Sequence, residues 1–297
     1  MQTSDRSKGI WISLLGVFIL SPDSLLIRLA GLGDLTLIFY RGFFSAITIT
    51  VLLLVFYRRK FLSVVIGIGW AGLLNGVLYA STTITFIYSI QTTSVANTLV
   101  ILSSAPIFAA ILSLFVLKEN QRPVTWLVIA ISFVSIFIIG LGSYGKSNMS
   151  GDLFALACAI TTGCSAVLER YKKDIDLVPS IILGSILVAL YALVQSPGLV
   201  VNTTQFIYLA IIGFVLVPIA FVALTIAPRL ASSAEVQLVF LLEAILGPMW
   251  VWLVINEAPT LYTLVGGSML LLSVSWLAIS TAKESVRPLE ESVEPVS

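Results

Sequence analysis

The sequence has no histidine, only two cysteines and few charged residues among its 297 amino acids. Histidine is the commonest metal ligand and the usual general base, so its absence argues against a catalytic or metal centre. Cys158 and Cys164 lie six residues apart, about 240° apart around one helix, which suits neither a disulfide nor a metal site. We expect both to be packing residues, and we predict no cofactor.

Charged residues make up 10% of the chain and hydrophobic residues 58%, whereas soluble domains carry about 25% charged residues. A helix needs about 20 apolar residues to cross a bilayer. Ten segments of roughly that length lie near 10–29, 35–57, 63–88, 92–117, 124–142, 151–168, 178–195, 205–227, 231–255 and 261–281. A net charge of +1 provides no basic surface for nucleic acid. The composition predicts an all-α integral membrane protein with ten transmembrane helices and the lipid bilayer as its partner.

The positions of lysine and arginine predict the orientation, because cytoplasmic loops retain positive charge. With the N-terminus inside, the inner segments hold most of these residues, including Arg58, Lys60 and Arg170. The outer side holds Lys146, and Arg28 lies at an outer helix end. We expect both termini to be cytoplasmic and the membrane to be the bacterial inner (plasma) membrane.

The two halves of the chain resemble each other. Shifts of 142 and 138 residues align the first and the fourth helices of the halves, matching Gly9 with Gly151, Arg28 with Arg170, Ser94 with Ser232 and Glu119 with Glu257. Five helices per half is an odd number, so the second half enters the membrane from the opposite side. The predicted organisation is a cytoplasmic N-terminus (1–8), two inverted five-helix repeats (9–145 and 146–282) and a disordered cytoplasmic tail (283–297). Such repeats permit outward-open and inward-open states.

The fourth helix of each half has a small or polar start, an apolar run and a final glutamate; the residues are Ser94, Ala96, Pro106 and Glu119, then Ser232, Ala234, Glu243 and Glu257. With the ten helices, this pattern resembles the EamA family of the drug/metabolite transporter superfamily over about residues 9–282. One departure is that Glu243 precedes Ala244 where the family often has Glu-Pro, with proline only at 248. We therefore expect the kink one turn later. The resemblance implies transport of amino acids, metabolites, nucleobase-like compounds or drugs.

Three charged residues lie well inside apolar segments: Asp23, Arg41 and Glu243. A charge at bilayer depth costs from about 2.5 to over 10 kcal/mol, so such residues usually face a partner or a wet cavity. Asp23 and Arg41 fall at similar depths, roughly 10 Å below the outer surface. This allows an ion pair, which either locks helices together or takes part in gating or substrate binding. Pro22 beside Asp23 predicts a helix break that faces the cavity.

Glu243 is 12 residues into the ninth segment and falls near the midplane of the bilayer. A carboxyl group at this depth is a candidate for proton coupling, and Asp23 is the second candidate. The alternative for Glu243 is a neutral side chain that is hydrogen-bonded to an adjacent helix.

Uncharged polar residues form further candidates. Asn75, Tyr79 and Thr82 or Thr83 recur at intervals of about four and form one polar stripe on the third segment, with Trp70 about a turn and a half earlier. Asn97 and Gln237 lie near the starts of the two fourth helices. Contact with a substrate and hydrogen bonding between helices explain these positions equally well.

The sequence favours a secondary transporter of small metabolites that works by alternating access, and we expect efflux. It contains no GxxxxGK[ST] loop for ATP. A non-transporting scaffold or receptor is the alternative, and an intramembrane enzyme is less favoured because no acid, base and nucleophile cluster together. The expected partner is a small-molecule substrate, and the protein is predicted to be a monomer or a homodimer.

Overall fold

A computed structural model describes residues 3–118, 123–143, 149–172, 174–195, 198–230, 239 and 241–286. Every regular element among these residues is helical. The α-helices are α1 Thr3–Leu20, α2 Asp23–Ala30, α3 Asp34–Tyr57, α4 Phe61–Gly67, α5 Gly69–Thr92, α6 Val95–Leu102, α7 Ala105–Val116, α8 Pro123–Ser143, α9 Met149–Tyr171, α10 Ser180–Gln195, α11 Thr203–Ala210, α12 Val217–Leu230, α13 Glu243–Ile255 and α14 Leu261–Val286. A 3₁₀ turn covers Arg58–Lys60, and a π-helix, Ile211–Leu216, joins α11 to α12.

Nine of the ten predicted apolar segments coincide, in their described residues, with one helix or with consecutive helices, and the ninth is described only at 239 and from 241 onward, where α13 lies. Seven stretches of the described chain are long and apolar enough to cross a membrane, and three shorter apolar helices cover Ser180–Gln195, Glu243–Ile255 and Leu261–Trp276. The all-α prediction is therefore confirmed for the described residues, whereas ten crossings remain a prediction. At the C-terminus, α14 extends to Val286, into the predicted tail 283–297.

The outside of the bundle is apolar and its interior contains polar side chains. Large hydrophobic residues such as Phe56, Ile66, Phe115 and Leu272 are mostly exposed, and an apolar exterior of this extent marks a surface that water does not cover. Serine, threonine and asparagine side chains lie buried between the helices instead. The chain is an integral membrane protein, as predicted.

Several apolar segments are broken helices. The first is interrupted at Ser21–Pro22, and the fourth at Ser103–Ser104. In the ninth segment a turn at Leu241–Leu242 precedes α13, and this turn lies 138 residues after Ser103–Ser104, the same shift that aligns the two fourth helices in sequence. Pro248 lies inside α13, one turn and more beyond this break, and the kink expected there remains a prediction.

The helices of the first half (α1–α8) pack against those of the second half (α9–α14) in corresponding ways. Helix α5 packs against α9, and in the same way α12 packs against α1. Helix α5 also packs against α10, and in the same way the π-helix packs against α3. The second and seventh segments, α3 and α10, pack directly on each other, as do the fifth and tenth, α8 and α14. Glycine permits the closest approach: a Cβ atom at Gly42 would lie 2.7 Å from the Ser185 carbonyl oxygen.

Candidate functional site

Asp23 and Arg41 form a buried ion pair in the bundle. Asp23 is the first residue of α2, and Arg41 lies on α3. The Arg41 Nη1 atom donates to Asp23 Oδ1 at 2.6 Å and to Oδ2 at 2.7 Å. Their exposed fractions are 2% and 6%. Because each charge is compensated by the other, both can lie within the bilayer.

The break before Asp23 is satisfied by local hydrogen bonds. Pro22 has no N–H, so it cannot donate to the carbonyl of Phe18 as a helical residue would. The Ser21 hydroxyl donates to that carbonyl at 2.9 Å instead. Trp250 on α13 donates from its Nε1 atom to Ser21 Oγ at 3.0 Å. The second half of the chain thereby contacts the break that positions Asp23.

Glu243, the first residue of α13, completes the group of charges. It is half-buried and interacts electrostatically with both Asp23 and Arg41. Its carboxyl group makes no hydrogen bond within the described part of the chain. The structure therefore brings together the three charges that the sequence singled out, two from the first half and one from the second.

Two buried polar atoms near these charges lack hydrogen-bond partners among the described residues: Arg41 Nε and Ser24 Oγ. Ser24 faces α13, since a Cβ atom at Gly247 would lie 3.5 Å from its hydroxyl. Gly247 is one turn beyond Glu243. We call Asp23, Ser24, Arg41 and Glu243 the central cluster. Buried polar groups are normally paired, so these two atoms mark a place where a ligand or water can supply the missing partner.

Aromatic side chains and a thiol surround the central cluster. The guanidinium carbon of Arg41 lies 5.5 Å from the centre of the Phe86 ring. Tyr79 is buried and interacts electrostatically with Arg41 and Asp23. Cys158 on α9 is within electrostatic range of Glu243 and Arg41. The predicted candidate Tyr79 therefore belongs to the same region of the bundle.

The other candidates from the third segment lie apart from this cluster. Asn75 is buried, donates to Ser180 Oγ at 2.9 Å and accepts from the Ser165 hydroxyl at 2.5 Å. Trp70 is 58% exposed, and Lys172 Nζ lies 5.2 Å from the centre of its ring. The three candidates Trp70, Asn75 and Tyr79 thus lie in three different environments.

Asn97 takes part in a second polar group at one end of the bundle. Its Nδ2 atom donates to Asp152 Oδ1 at 3.1 Å, and Thr93 Oγ1 donates to the same oxygen at 2.7 Å. The Thr263 hydroxyl donates to Asn97 Oδ1 at 2.5 Å. Asp152 is only 8% exposed, and the neutral donors Thr93 and Asn97 solvate its carboxylate.

An ion pair extends this group. Arg28 Nη2 lies 3.3 Å from Glu257 Oε2 and donates to the Thr93 carbonyl at 2.7 Å. The other Glu257 oxygen accepts from the backbone N–H of Val95 at 2.9 Å, at the start of α6. We define the end network as Arg28, Thr93, Asn97, Asp152, Glu257 and Thr263.

Sequence reasoning did not single out Asp152 or Thr263. Asp152 lies in the first turn of α9, where a carboxylate is common because the helix dipole favours it. Its partners come from the other half of the chain, so no local pattern indicates its burial. Gln237 lies outside the described residues. Within the part of the chain that the structure describes, no three Asp, Glu or Cys side chains are placed to hold a metal ion.

An apolar groove lies away from both polar groups. It has a volume of about 550 Å³ and follows the outer surface between α3 and α10. Its lining is apolar except for Thr50 and includes Phe39, Phe43 and Leu190. A surface of this character is suited to contact with lipid.

Comparison with known proteins supports this architecture. One relative is the protein named "Uncharacterized transporter YdfC" from Bacillus subtilis (strain 168), which is 29% identical over 184 residues. That match covers 60% of this chain and 60% of the relative. A solved crystal structure superposes over 95% of this chain and 100% of its own with a TM-score of 0.68 at 16% identity, a likeness of fold alone.

The family profile described as "EamA-like transporter family" matches residues 7–141. These residues include the broken first helix, Asp23, Arg41 and the first of the two fourth helices. The resemblance predicted from the sequence is therefore confirmed, with a match to the EamA-like transporter family over residues 7–141, somewhat less than half of the chain.

Proposed function

We propose that the protein is a secondary transporter of small metabolites, which it exports by alternating access around the central cluster. The observation that carries this proposal is the meeting of Asp23, Arg41 and Glu243 inside an apolar bundle. Charges at membrane depth are costly and usually mark the path of a substrate or an ion. The family match of residues 7–141 and the relative named as a transporter support the same function.

The proposed mechanism requires two inverted repeats, 9–145 and 146–282. The helix breaks at Ser103–Ser104 and Leu241–Leu242 support this organisation, because they recur at the sequence shift of 138 residues. The corresponding helix pairs of the two halves support it as well. Each half can then adopt the other's conformation, which produces outward-open and inward-open states. In the proposed orientation both termini are cytoplasmic and the membrane is the bacterial inner membrane.

The chemistry of the central cluster favours a polar cargo. Arg41 Nε and the Ser24 hydroxyl are donors without partners among the described residues, so they suit a carboxylate or another acceptor group of the substrate. Glu243 has no hydrogen bond from the described residues and suits a proton or an amino group. Amino-acid-like compounds, other metabolites and drugs with both kinds of group fit these requirements.

In this mechanism Glu243 exchanges a proton for the substrate. A carboxyl group that interacts with both Asp23 and Arg41 gains or loses charge within a balanced set, so its protonation changes the net charge of the site. The substrate and the proton then compete for the same position. The driving force is an ion gradient.

The test is reconstitution in liposomes with labelled metabolites, with and without a pH gradient. Glu243→Gln should abolish the effect of the pH gradient and retain exchange of substrate across the membrane. Glu169→Gln is the matched control, because it removes an exposed carboxyl group of the same half that belongs neither to the central cluster nor to the end network. An unchanged pH dependence in Glu243→Gln would reject the role of Glu243. Absence of flux for every compound, with intact folding, would favour a scaffold or receptor.

A further inference from the structure

We propose that the end network is the gate that closes the central cluster from one side of the membrane. The proposal rests on the transport function described above. In the predicted orientation this is the extracellular side, because α2, α5 and α13 end there and α6, α9 and α14 begin there.

The contacts of the end network connect the two halves of the chain. The Arg28–Glu257 pair, the Thr93–Asp152 bond and the Asn97–Thr263 bond each join a first-half residue to a second-half residue. In alternating access the two halves separate at one end and approach at the other. Contacts of this kind must form and break once in every cycle.

The short helix α6 lies at the centre of these contacts. Asn97 connects it to Asp152 on α9 and to Thr263 on α14. The start of α6 is held by Glu257, which accepts from the Val95 N–H. Arg28 donates to the carbonyl group of Thr93, which lies two residues before α6 begins. The end network thus holds the first turn of α6 from three sides.

The other end of α6 has the geometry of a hinge. It stops at Leu102, and Ser103–Ser104 separate it from α7. The Ser103 hydroxyl donates to the Val100 carbonyl and the Ser104 hydroxyl to the Ile101 carbonyl, both at 2.6 Å. The carbonyl groups near the break therefore keep partners on their own segment, so α6 can change its angle to α7 without exposing them.

The bonds around Asp152 suit a contact that opens. Thr93 and Asn97 are neutral donors, and hydrogen bonds with neutral donors are weaker than those with a cationic partner. The Arg28–Glu257 pair is partly exposed, at 24% and 26%, and pairs in such positions contribute little. The network as a whole can close the path without holding the halves together permanently.

The first experiment measures access to the central cluster. The full-length chain with Cys158→Ser, Cys164→Ser and the reporter Ser24→Cys is labelled in intact cells with a membrane-impermeant thiol reagent. Asp152→Asn and Asn97→Leu should raise the labelling rate about fivefold or more, the factor expected for loss of one hydrogen bond. Thr263→Val is the milder variant if either of these folds poorly.

Tyr40→Phe is the matched control. Tyr40 donates to the Leu199 carbonyl at 2.9 Å and also joins the two halves at this end, but it lies outside the end network. Its labelling rate should stay at the level of the reporter chain. Equal labelling in all the variants, or an increase in Tyr40→Phe of the same size, would overturn the proposal.

The second experiment distinguishes a gate from a permanent structural contact. Thr93→Cys and Asp152→Cys are combined in the chain without its native cysteines, oxidised to a disulfide and assayed in liposomes. A gate predicts loss of flux and its recovery on reduction, whereas a permanent contact predicts no change on oxidation. The labelling experiment requires no substrate, so failure of the transport proposal and failure of the gate give different results.

Discussion

The central cluster and the end network are both buried polar groups that join the two halves, but they differ in how their hydrogen bonds are satisfied. In the end network, Asp152 accepts two bonds and Asn97 both donates and accepts, and the one buried side-chain atom of this network without a partner among the described residues is Nε of the partly exposed Arg28. In the central cluster, Arg41 Nε and Ser24 Oγ have no partner among the described residues. Satisfied groups hold two surfaces together, and unsatisfied groups indicate where a ligand binds.

The largest difference should appear when an arginine is removed from each group. Arg41→Gln leaves the nearly buried Asp23 without its partner, which should cost about 3–5 kcal/mol of stability. Arg28→Gln breaks a partly exposed pair and should cost about 0–1 kcal/mol. Thermal unfolding of the full-length protein in detergent measures both. Adding Asp23→Asn to Arg41→Gln should restore part of the loss, and equal destabilisation by the two single variants would contradict the comparison.

Removal of one hydroxyl from each group should give the next largest difference. Thr93→Val leaves the buried Asp152 carboxylate one donor short, which should cost about 1–3 kcal/mol. Ser24→Ala removes a hydroxyl that makes no hydrogen bond to any residue that the structure describes, so the stability of this variant should stay close to that of the native chain. The same unfolding assay applies. If Ser24→Ala proves as costly as Thr93→Val, the Ser24 hydroxyl has a partner and does not mark a ligand position.

Trp250→Phe tests the contact between α13 and the break in the first helix. The substitution removes the bond to Ser21 Oγ, while the bond from Ser21 to the Phe18 carbonyl can persist. We expect a loss of about 0.5–1.5 kcal/mol and a weaker effect of substrate on the unfolding temperature. Trp276→Phe, a change at an exposed position of α14, is the control. If substrate changes the unfolding temperature of Trp250→Phe as much as that of the native protein, the break in the first helix does not influence binding at the central cluster.

The smallest effects should come from replacing Glu257 and Glu119, which should change the labelling of the Ser24→Cys reporter in opposite directions. Glu257→Gln weakens the end network by about 0.2–1 kcal/mol and should raise labelling of the Ser24→Cys reporter from outside. The sequence repeat pairs Glu257 with Glu119, which lies outside the described residues. If the repeat is inverted, Glu119→Gln should lower that labelling. Changes in the same direction would mean that the two glutamates do not have equivalent roles.

The sequence was sufficient to predict most of what hydropathy and charge determine. Long apolar segments predicted the helices, and Asp23, Arg41 and Glu243 stood out because charges are rare in such segments. Pro22 correctly indicated the break beside Asp23, since proline removes a backbone donor. In the ninth segment, however, the proline at 248 did not determine the break, which lies at Leu241–Leu242. This break lies 138 residues after the one at Ser103–Ser104, which is the shift that aligns the two fourth helices.

The rest depended on contacts between distant parts of the chain. A polar stripe shows that one helix face is polar, but not which neighbour each side chain meets. Tyr79 lies near Arg41, Asn75 binds Ser165 and Ser180, and Trp70 is exposed. Asp152 resembles an ordinary acidic residue at a helix start, and its burial depends on Thr93 and Asn97 from the other half.

The matching breaks of the two fourth helices have a consequence for stoichiometry. They start α7 at Ala105 and α13 at Glu243, two positions that the 138-residue shift superposes. A symmetric dimer of identical halves would have an acidic residue at both of these positions. This chain has an acidic residue at one of them, Glu243, so a transport cycle that uses Glu243 moves at most one proton through this position per turnover. Simultaneous measurement of proton and substrate flux would count it.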